Sequence, residues 1–282
     1  MNLSIADSTA ALKNRLPGLR RMAKVHHPVG RRFRIIGLAA LVGVLSGLAA
    51  AVLHAGLQYG VEHVIGRVVE LGSANVFQFR IELLLLPAFG GLLSGFIVRS
   101  FPGQGTDALV HSFHNQNGRM KVRGPVIKAS AAVGVISCGG SAGPEGPIAA
   151  LGASLGSAVG RYFHLPPRDR RILLISGCAG GVGAIFGCPL GGALFATSIL
   201  YREPEFESDS LVSAFIASVV SYSTFFAIWG EGSFLLKDAN RLSFGGMLEL
   251  PTYVILGLSC GAAAIFLATC MRFVSSWHQR FP

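Results

Sequence analysis

The chain has 282 residues, of which 51% are hydrophobic and only 13% are charged, so it carries more apolar surface than a soluble globule buries. Its net charge of +10 lies in polar stretches between apolar runs and not on a basic face with interleaved aromatic residues, which argues against a nucleic-acid partner. Composition therefore predicts a multi-pass integral membrane protein of the cell membrane, whose immediate partner is the lipid bilayer.

The chain opens with a basic tail, followed by a long apolar run. Residues 1–33 are rich in Lys and Arg, which predicts a cytoplasmic tail. Residues 35–61 hold no charged side chain and exceed the ~20 residues that a helix needs to span a bilayer. Three further spans are predicted at residues 81–98, 211–229 and 251–271. The transmembrane region then covers residues 34–275, and residues 276–282 form a short tail.

The middle of the chain breaks into short apolar pieces separated by Gly and Pro. These candidate helices cover residues 106–117, 124–137, 147–163, 171–186 and 189–201. Several are too short or too interrupted to cross about 30 Å of hydrocarbon as one straight helix. Irregular backbone at membrane depth is tolerated only where it is buried or lines a cavity, so this pattern predicts a site inside the membrane. An all-α polytopic membrane protein with broken and re-entrant helices follows, acting as a transporter or channel and not as an enzyme.

The segment Gly143-Pro-Glu-Gly-Pro147 carries the most chemical information. A glycine-rich turn ends one helix here, and Pro147, favoured in a first turn, is predicted to begin the next. Free N–H groups and the positive end of the helix dipole make such a start an anion site. The Glu145 carboxylate could occupy the place of the anion and act as a gate. Alternatively, Glu145 merely stabilises the helix end.

Other candidate residues carry weaker signals. Lys128 could add positive potential for an anion, or its ammonium could extend to the membrane interface. A histidine pair, His111 and His114, lacks a partnered acid or cysteine, and the five cysteines show no CxxC spacing, so neither a metal nor another cofactor is predicted. Residues 172–183 imitate a dinucleotide-binding turn, but Pro189 arrives too soon for the helix that such a turn opens.

Three motifs, in matching order and spacing, resemble the CLC chloride channel and anion/proton exchanger family. Gly143-Pro-Glu-Gly-Pro147 is similar to its G-R-E-G-P motif, Gly103-Gln-Gly105 stands at its G-S-G motif, and Phe186-Gly-Cys-Pro-Leu-Gly-Gly-Ala-Leu-Phe195 resembles its F-N-A-P-L-A-G-I-L-F segment. The resemblance implies chloride as the ligand, Glu145 as the external gate and Lys128 as electrostatic support. It also implies anion-binding groups at Gln104, Gly105, Gly143, Gly146 and Ile148.

The resemblance also sets expectations for architecture. It covers the first half of the family's inverted repeat and the opening helix of the second, so the chain is expected to be incomplete as one pore. A homodimer is implied through the helix after Pro189 and the next helix.

Departures from the family pattern bear on mechanism. Pro144 replaces an arginine and has no N–H, Gln104 replaces a serine, and Ile199 stands at the family's inner, proton-relaying glutamate. These residues favour a voltage- or pH-gated chloride channel or transporter subunit without the standard proton relay. The alternatives are a secondary transporter for another anionic substrate and a nonfunctional truncated membrane fragment.

Overall fold

The computed structural model describes residues 28–67, 81–99, 106–200, 208–230, 246 and 249–278, and the regular structure within them is helical. Four helices precede the loop at residues 138–144, namely α1 Pro28–Gly60, α2 Ile81–Arg99, α3 Thr106–His114 and α4 Arg123–Ser137. Helix α1 continues as the π-helical segment Val61–Gly66. The helices after the loop are α5 Glu145–Tyr162, α6 Pro167–Phe186, α7 Pro189–Leu200, α8 Ser208–Trp229 and α9 Leu250–His278.

Three of the four predicted spans correspond to helices that are long and apolar enough to cross a membrane: Gly30–Gly66, Ser210–Trp229 and Leu250–Val274. The fourth, residues 81–98, forms α2, whose apolar part Leu85–Arg99 is shorter. The predicted tail boundary differs from the structure, because α1 already begins at Pro28. Proline is favoured at the start of a helix, where its missing N–H costs nothing. The five short helices of the middle region are confirmed within a few residues at each end.

The chain divides into two compact units, Met1–Leu235 and Leu236–Pro282. The boundary falls inside the region that was predicted to be continuous from 34 to 275. Helices α1 to α8 belong to the first unit, and α9 belongs to the second.

Helix α6 is the centre of the first unit. Sixteen of its twenty residues are buried, and its apolar residues are spread around the whole helix, as expected for a helix that is covered on all sides. Its carbonyl oxygens also accept hydrogen bonds from serines of α8. Ser218 and Ser221 of α8 donate to the carbonyls of Ala179 and Gly180 at 3.0 and 2.8 Å. Interhelical hydrogen bonds of this kind hold helices together in lipid.

Helices α5 and α6 touch backbone to backbone. A Cβ atom added at Gly152 would lie 2.1 Å from the carbonyl oxygen of Gly177, and one at Gly156 would lie 2.0 Å from that of Leu173. Small residues therefore set the distance between these helices, as the spacing of glycines along α5 suggests.

An ion pair joins the first helix to α6. The Arg31 guanidinium donates through Nε to the Asp169 carboxylate at 3.0 Å, and Asp169 is fully buried. The Nη2 atom of Arg34 lies 3.8 Å from the other carboxylate oxygen. The basic start of α1 and the α5–α6 turn thus lie at the same end of the bundle, which the positive-inside rule places toward the cytoplasm.

Candidate functional site

The loop between α4 and α5 is shaped by glycine. Gly139 has φ 79°, a left-handed conformation that ends α4, and the Gly140 N–H donates to the Val135 carbonyl at 2.9 Å. This closing hydrogen bond is the usual way in which a helix satisfies its last carbonyls. The chain then passes through an exposed stretch, Ser141 to Gly143, and enters α5. The predicted glycine-rich turn between two helices is therefore present.

Helix α5 begins at Glu145, two residues before the predicted start at Pro147, with Pro144 as its cap residue. This early start changes which backbone N–H groups have no acceptor within the helix. The N–H of Ile148 donates to the Pro144 carbonyl at 3.0 Å, so it is occupied within the helix and is not available to an anion. That Ile148 binds an anion stays a prediction, and its N–H is not the group that could do so. Pro144 and Pro147 have no N–H to offer.

Three N–H groups remain at the start of α5, namely those of Gly143, Glu145 and Gly146. Within the described part of the chain none of the three donates to a protein acceptor. Gly143 is exposed, while Glu145 and Gly146 are half-buried, so water or a small ion can reach them. Together with the helix dipole they give this helix start a positive potential.

The Glu145 side chain folds back over Gly143. A Cβ atom at Gly143 would lie 1.7 Å from the Glu145 Oε2 atom and 2.6 Å from its Cδ atom, so the carboxylate fills the space of the missing side chain. Among the described residues no cation pairs with this carboxylate. It therefore lies beside the free amides, and no cation of the described residues neutralises it.

The other candidate residues from the sequence lie away from this helix start or outside the described residues. Lys128 lies half-buried in the second turn of α4, and the described residues include no ion pair between it and Glu145. Gln104 and Gly105 lie outside the described residues. His111 and His114 lie on α3, and the described residues contain no group of three or more His, Cys, Asp or Glu side chains that could hold a metal ion.

Helix α7 carries the position of the expected inner acid. Gly187, with φ 65°, ends α6, and Pro189 begins α7 directly afterwards. Ile199 packs against the central apolar cluster, and the exposed Ser198 hydroxyl donates to the Phe195 carbonyl at 3.0 Å. No residue of α7 is acidic.

The two ends of α5 differ in charge. Glu145 begins the helix, and Arg161 lies in its last turn, about 24 Å away at a rise of 1.5 Å per residue. The Arg161 end shares its side of the bundle with the basic start of α1, so Glu145 lies at the opposite end of the bundle.

Comparisons with known proteins identify the family. The model of the family described as Voltage gated chloride channel matches residues 90–282. Chloride channel protein CLC-e of Arabidopsis thaliana is 29% identical over 259 residues, which is 86% of this chain and 35% of that protein. The H(+)/Cl(-) exchange transporter ClcA of Cronobacter sakazakii is 27% identical over 261 residues, which is 88% of this chain and 54% of that protein.

A solved structure shows the same fold. The X-ray structure of a slow cyanobacterial Cl-/H+ antiporter matches with a TM-score of 0.70 and 20% sequence identity, covering 88% of this chain and 59% of that one. This chain thus spans from 35% to 59% of the length of these relatives. The family match extends over more than half of the sequence and the all-α membrane fold agrees with it, so the chain belongs to the voltage-gated chloride channel family.

Proposed function

We propose that the protein moves chloride, or another small inorganic anion, across the cell membrane, and that the Glu145 carboxylate gates the path. The observation that carries this proposal is the position of that carboxylate, folded over Gly143 beside the free amides at the start of α5. A chloride transporter of the same family, ClcA of Cronobacter sakazakii, supports chloride as the substrate.

The gate follows from competition between two negative charges. A chloride ion reaching the N–H groups of Glu145 and Gly146 would occupy the region that the carboxylate now fills, and like charges repel. Either the carboxylate swings away or it loses its charge by taking a proton, and in both cases the path opens. Lys128, in the second turn of α4, adds positive potential that favours anions in the path.

Chloride flux from liposomes tests the gate. The natural full-length protein is reconstituted, and Glu145→Gln is compared with wild type and with Glu62→Gln, which changes an exposed glutamate outside α5. Flux through Glu145→Gln should differ from wild type in rate and lose its dependence on pH, while Glu62→Gln behaves as wild type. If Glu145→Gln retains the wild-type rate and pH profile, the carboxylate is not the gate.

Ile199 favours passive conduction over tightly coupled proton exchange. Its side chain is aliphatic and packs against the core, so α7 offers no carboxylate to carry a proton from the cytoplasmic side. A chloride gradient across the liposome membrane should therefore drive little proton movement, recorded with a pH-sensitive dye. Stoichiometric proton uptake would contradict this part of the proposal.

We further propose a homodimer that pairs α7 and α8 with their copies. Both helices expose large apolar side chains, among them Leu190 and Leu194 on one face of α7 and Phe215 and Val219 on α8. Residues four apart on a helix share a face, so each pair forms a continuous apolar strip. Single-molecule photobleaching of labelled protein in liposomes should show two steps.

A further inference from the structure

A cavity of about 420 Å³ lies at the cytoplasmic end of the bundle, far from Glu145. It is lined by the turn after α3 and the start of α6, with Gln116, Asn117, Arg119, Pro167 and Arg170 as its walls. Arg170 is only 7% exposed. Its Nη2 atom donates to the Leu165 carbonyl at 3.0 Å, but its Nε and Nη1 atoms are buried without a partner. Buried cationic donors are costly unless an acceptor meets them.

Two more arginines stand close to Arg170. Arg119 is exposed on the turn, and Arg161 reaches the same turn from α5, where it donates to the Met120 carbonyl and to the Ser157 hydroxyl at 2.9 Å. Burial lowers the pKa of the Arg170 guanidinium, and the charges of Arg119 and Arg161 lower it further. The three cations therefore repel one another at this polar end of the bundle.

Within the described residues no carboxylate compensates this charge. Asp169 is the nearest acid in sequence to Arg170, but its carboxylate is engaged by Arg31 and Arg34 of α1. Arg119, Arg161 and Arg170 form no ion pair among the described residues. A buried guanidinium with two unpartnered donors, next to a second arginine in the cavity wall and a third close by, favours an anion in this cavity.

The walls of the cavity are held in place by specific contacts. Ser157 accepts a hydrogen bond from the Met120 N–H at 2.8 Å and donates to the Gly118 carbonyl at 2.7 Å. Gly118 has φ 71°, and a Cβ atom there would lie 3.0 Å from the Arg171 nitrogen, so the turn lies directly on α6. Arg171 in turn donates to the Asn117 side chain at 3.3 Å. The site is thus pre-organised before any ligand enters.

We propose that Arg119 and Arg170, which line the cavity, form a binding site for a phosphate group on the cytoplasmic face, and that the nearby Arg161 adds positive charge to it. Guanidinium groups present forked donors that match the paired oxygens of phosphate, and several arginines around one group are typical of phosphate recognition. A phosphate carries more charge than one chloride ion and offers acceptors to several arginines at once, as this cavity requires. The phosphate belongs either to a soluble compound or to the headgroup of a lipid in the cytoplasmic leaflet.

This site is independent of the gate proposed at Glu145. Arg161 and Glu145 lie about 24 Å apart along α5 at 1.5 Å per residue, and no residue is shared between the two sites. Failure of one proposal therefore leaves the other standing, because the binding measurements below require no ion flux.

Two binding assays on the natural full-length protein in detergent test the site. In the first, inorganic pyrophosphate is titrated at constant ionic strength while the thermal unfolding midpoint is recorded. In the second, native mass spectrometry counts bound phosphatidic acid against phosphatidylcholine. Arg119→Gln removes an exposed cation, and Arg170→Lys keeps the charge but removes the paired donors of the guanidinium group. Arg272→Gln on α9 is the matched control at an exposed arginine.

The wild type and Arg272→Gln should bind one or both probes. Arg119→Gln and Arg170→Lys should bind them about tenfold more weakly, because a hydrogen bond to a charged group contributes more than a hydrogen bond between neutral groups. Pyrophosphate stabilisation without lipid retention indicates a soluble phosphate compound. Retention of phosphatidic acid indicates a lipid headgroup. The proposal is overturned if neither probe binds the wild type, or if Arg272→Gln loses as much affinity as the two site variants.

Discussion

Replacing Gly143 by alanine displaces the Glu145 carboxylate without removing it. The new Cβ atom would lie 1.7 Å from Oε2, whereas real Cβ contacts essentially never fall below 3.0 Å, so the carboxylate must retreat by at least about 1.3 Å. The backbone tolerates the change, because Gly143 is not among the glycines with positive φ. Holding a side chain about 30° off its preferred rotamer costs about 0.5–1.5 kcal/mol, which corresponds to a population shift of about two- to tenfold.

We therefore expect Gly143→Ala to raise chloride flux at the pH where wild type is least active, by about two- to tenfold. Liposome chloride efflux measures this rate, and the same preparation shows by circular dichroism that helix content is unchanged. Gly134→Ala on α4 is the matched control, since a Cβ atom there meets nothing within 4 Å. Equal flux in wild type and Gly143→Ala, with helix content preserved, would refute the reasoning that the position of the carboxylate controls the path.

Two further predictions concern stability, measured by denaturant titration in detergent. Asp169→Ala should lower the free energy of unfolding by about 3 kcal/mol, because it removes the buried carboxylate that accepts from Arg31 and so breaks the ion pair between α1 and α6; a loss below 1 kcal/mol would show that the pair contributes little. Gly156→Ala should cost about 1–3 kcal/mol, because its methyl group would lie against the Leu173 carbonyl. Gly37→Ala, which meets nothing within 4 Å, is its control, and equal stability of the two variants would contradict the close-packing argument.

The helices of the middle region could be predicted because their ends are marked by residues with local physical causes. Gly139 and Gly187 take the left-handed conformation that ends a helix, while Pro167 and Pro189 stand at or near a helix start. These residues start or end a helix through contacts within a few positions, so their effect can be recognised in the sequence. Hydrophobicity likewise marked the long helices, since a membrane span depends on length and composition alone.

The start of α5 was misplaced because proline is tolerated throughout the first turn and not only at its first position. The N–H groups of that turn have no partner inside the helix, so Pro147 as its third residue loses nothing. The shift of two residues then decides which amides are free. Ile148 becomes the fourth residue, whose N–H reaches the Pro144 carbonyl and is no longer free.

Contacts between distant parts of the chain could not be predicted. Arg31 and Asp169 are separated by 138 positions, and Arg161 meets the Met120 carbonyl across 41. In the sequence these basic residues indicate only which end of each helix faces the cytoplasm. The grouping of Arg119, Arg161 and Arg170 depends on the close approach of α5 to α6 and of the Gly118 turn to α6, which no local pattern records.

Close packing also constrains how the gate proposed at Glu145 can move. Because Gly152 and Gly156 bring the α5 backbone against α6, sliding or rotation of α5 would drive backbone atoms into each other, and well-packed interfaces resist such displacement. Gating should therefore be a motion of the Glu145 side chain on a fixed helix. Amide hydrogen exchange along α5, beyond its first turn, should then be the same in wild type and in Glu145→Gln protein, although their fluxes differ. Altered protection in the middle of α5 would show instead that the helix itself moves.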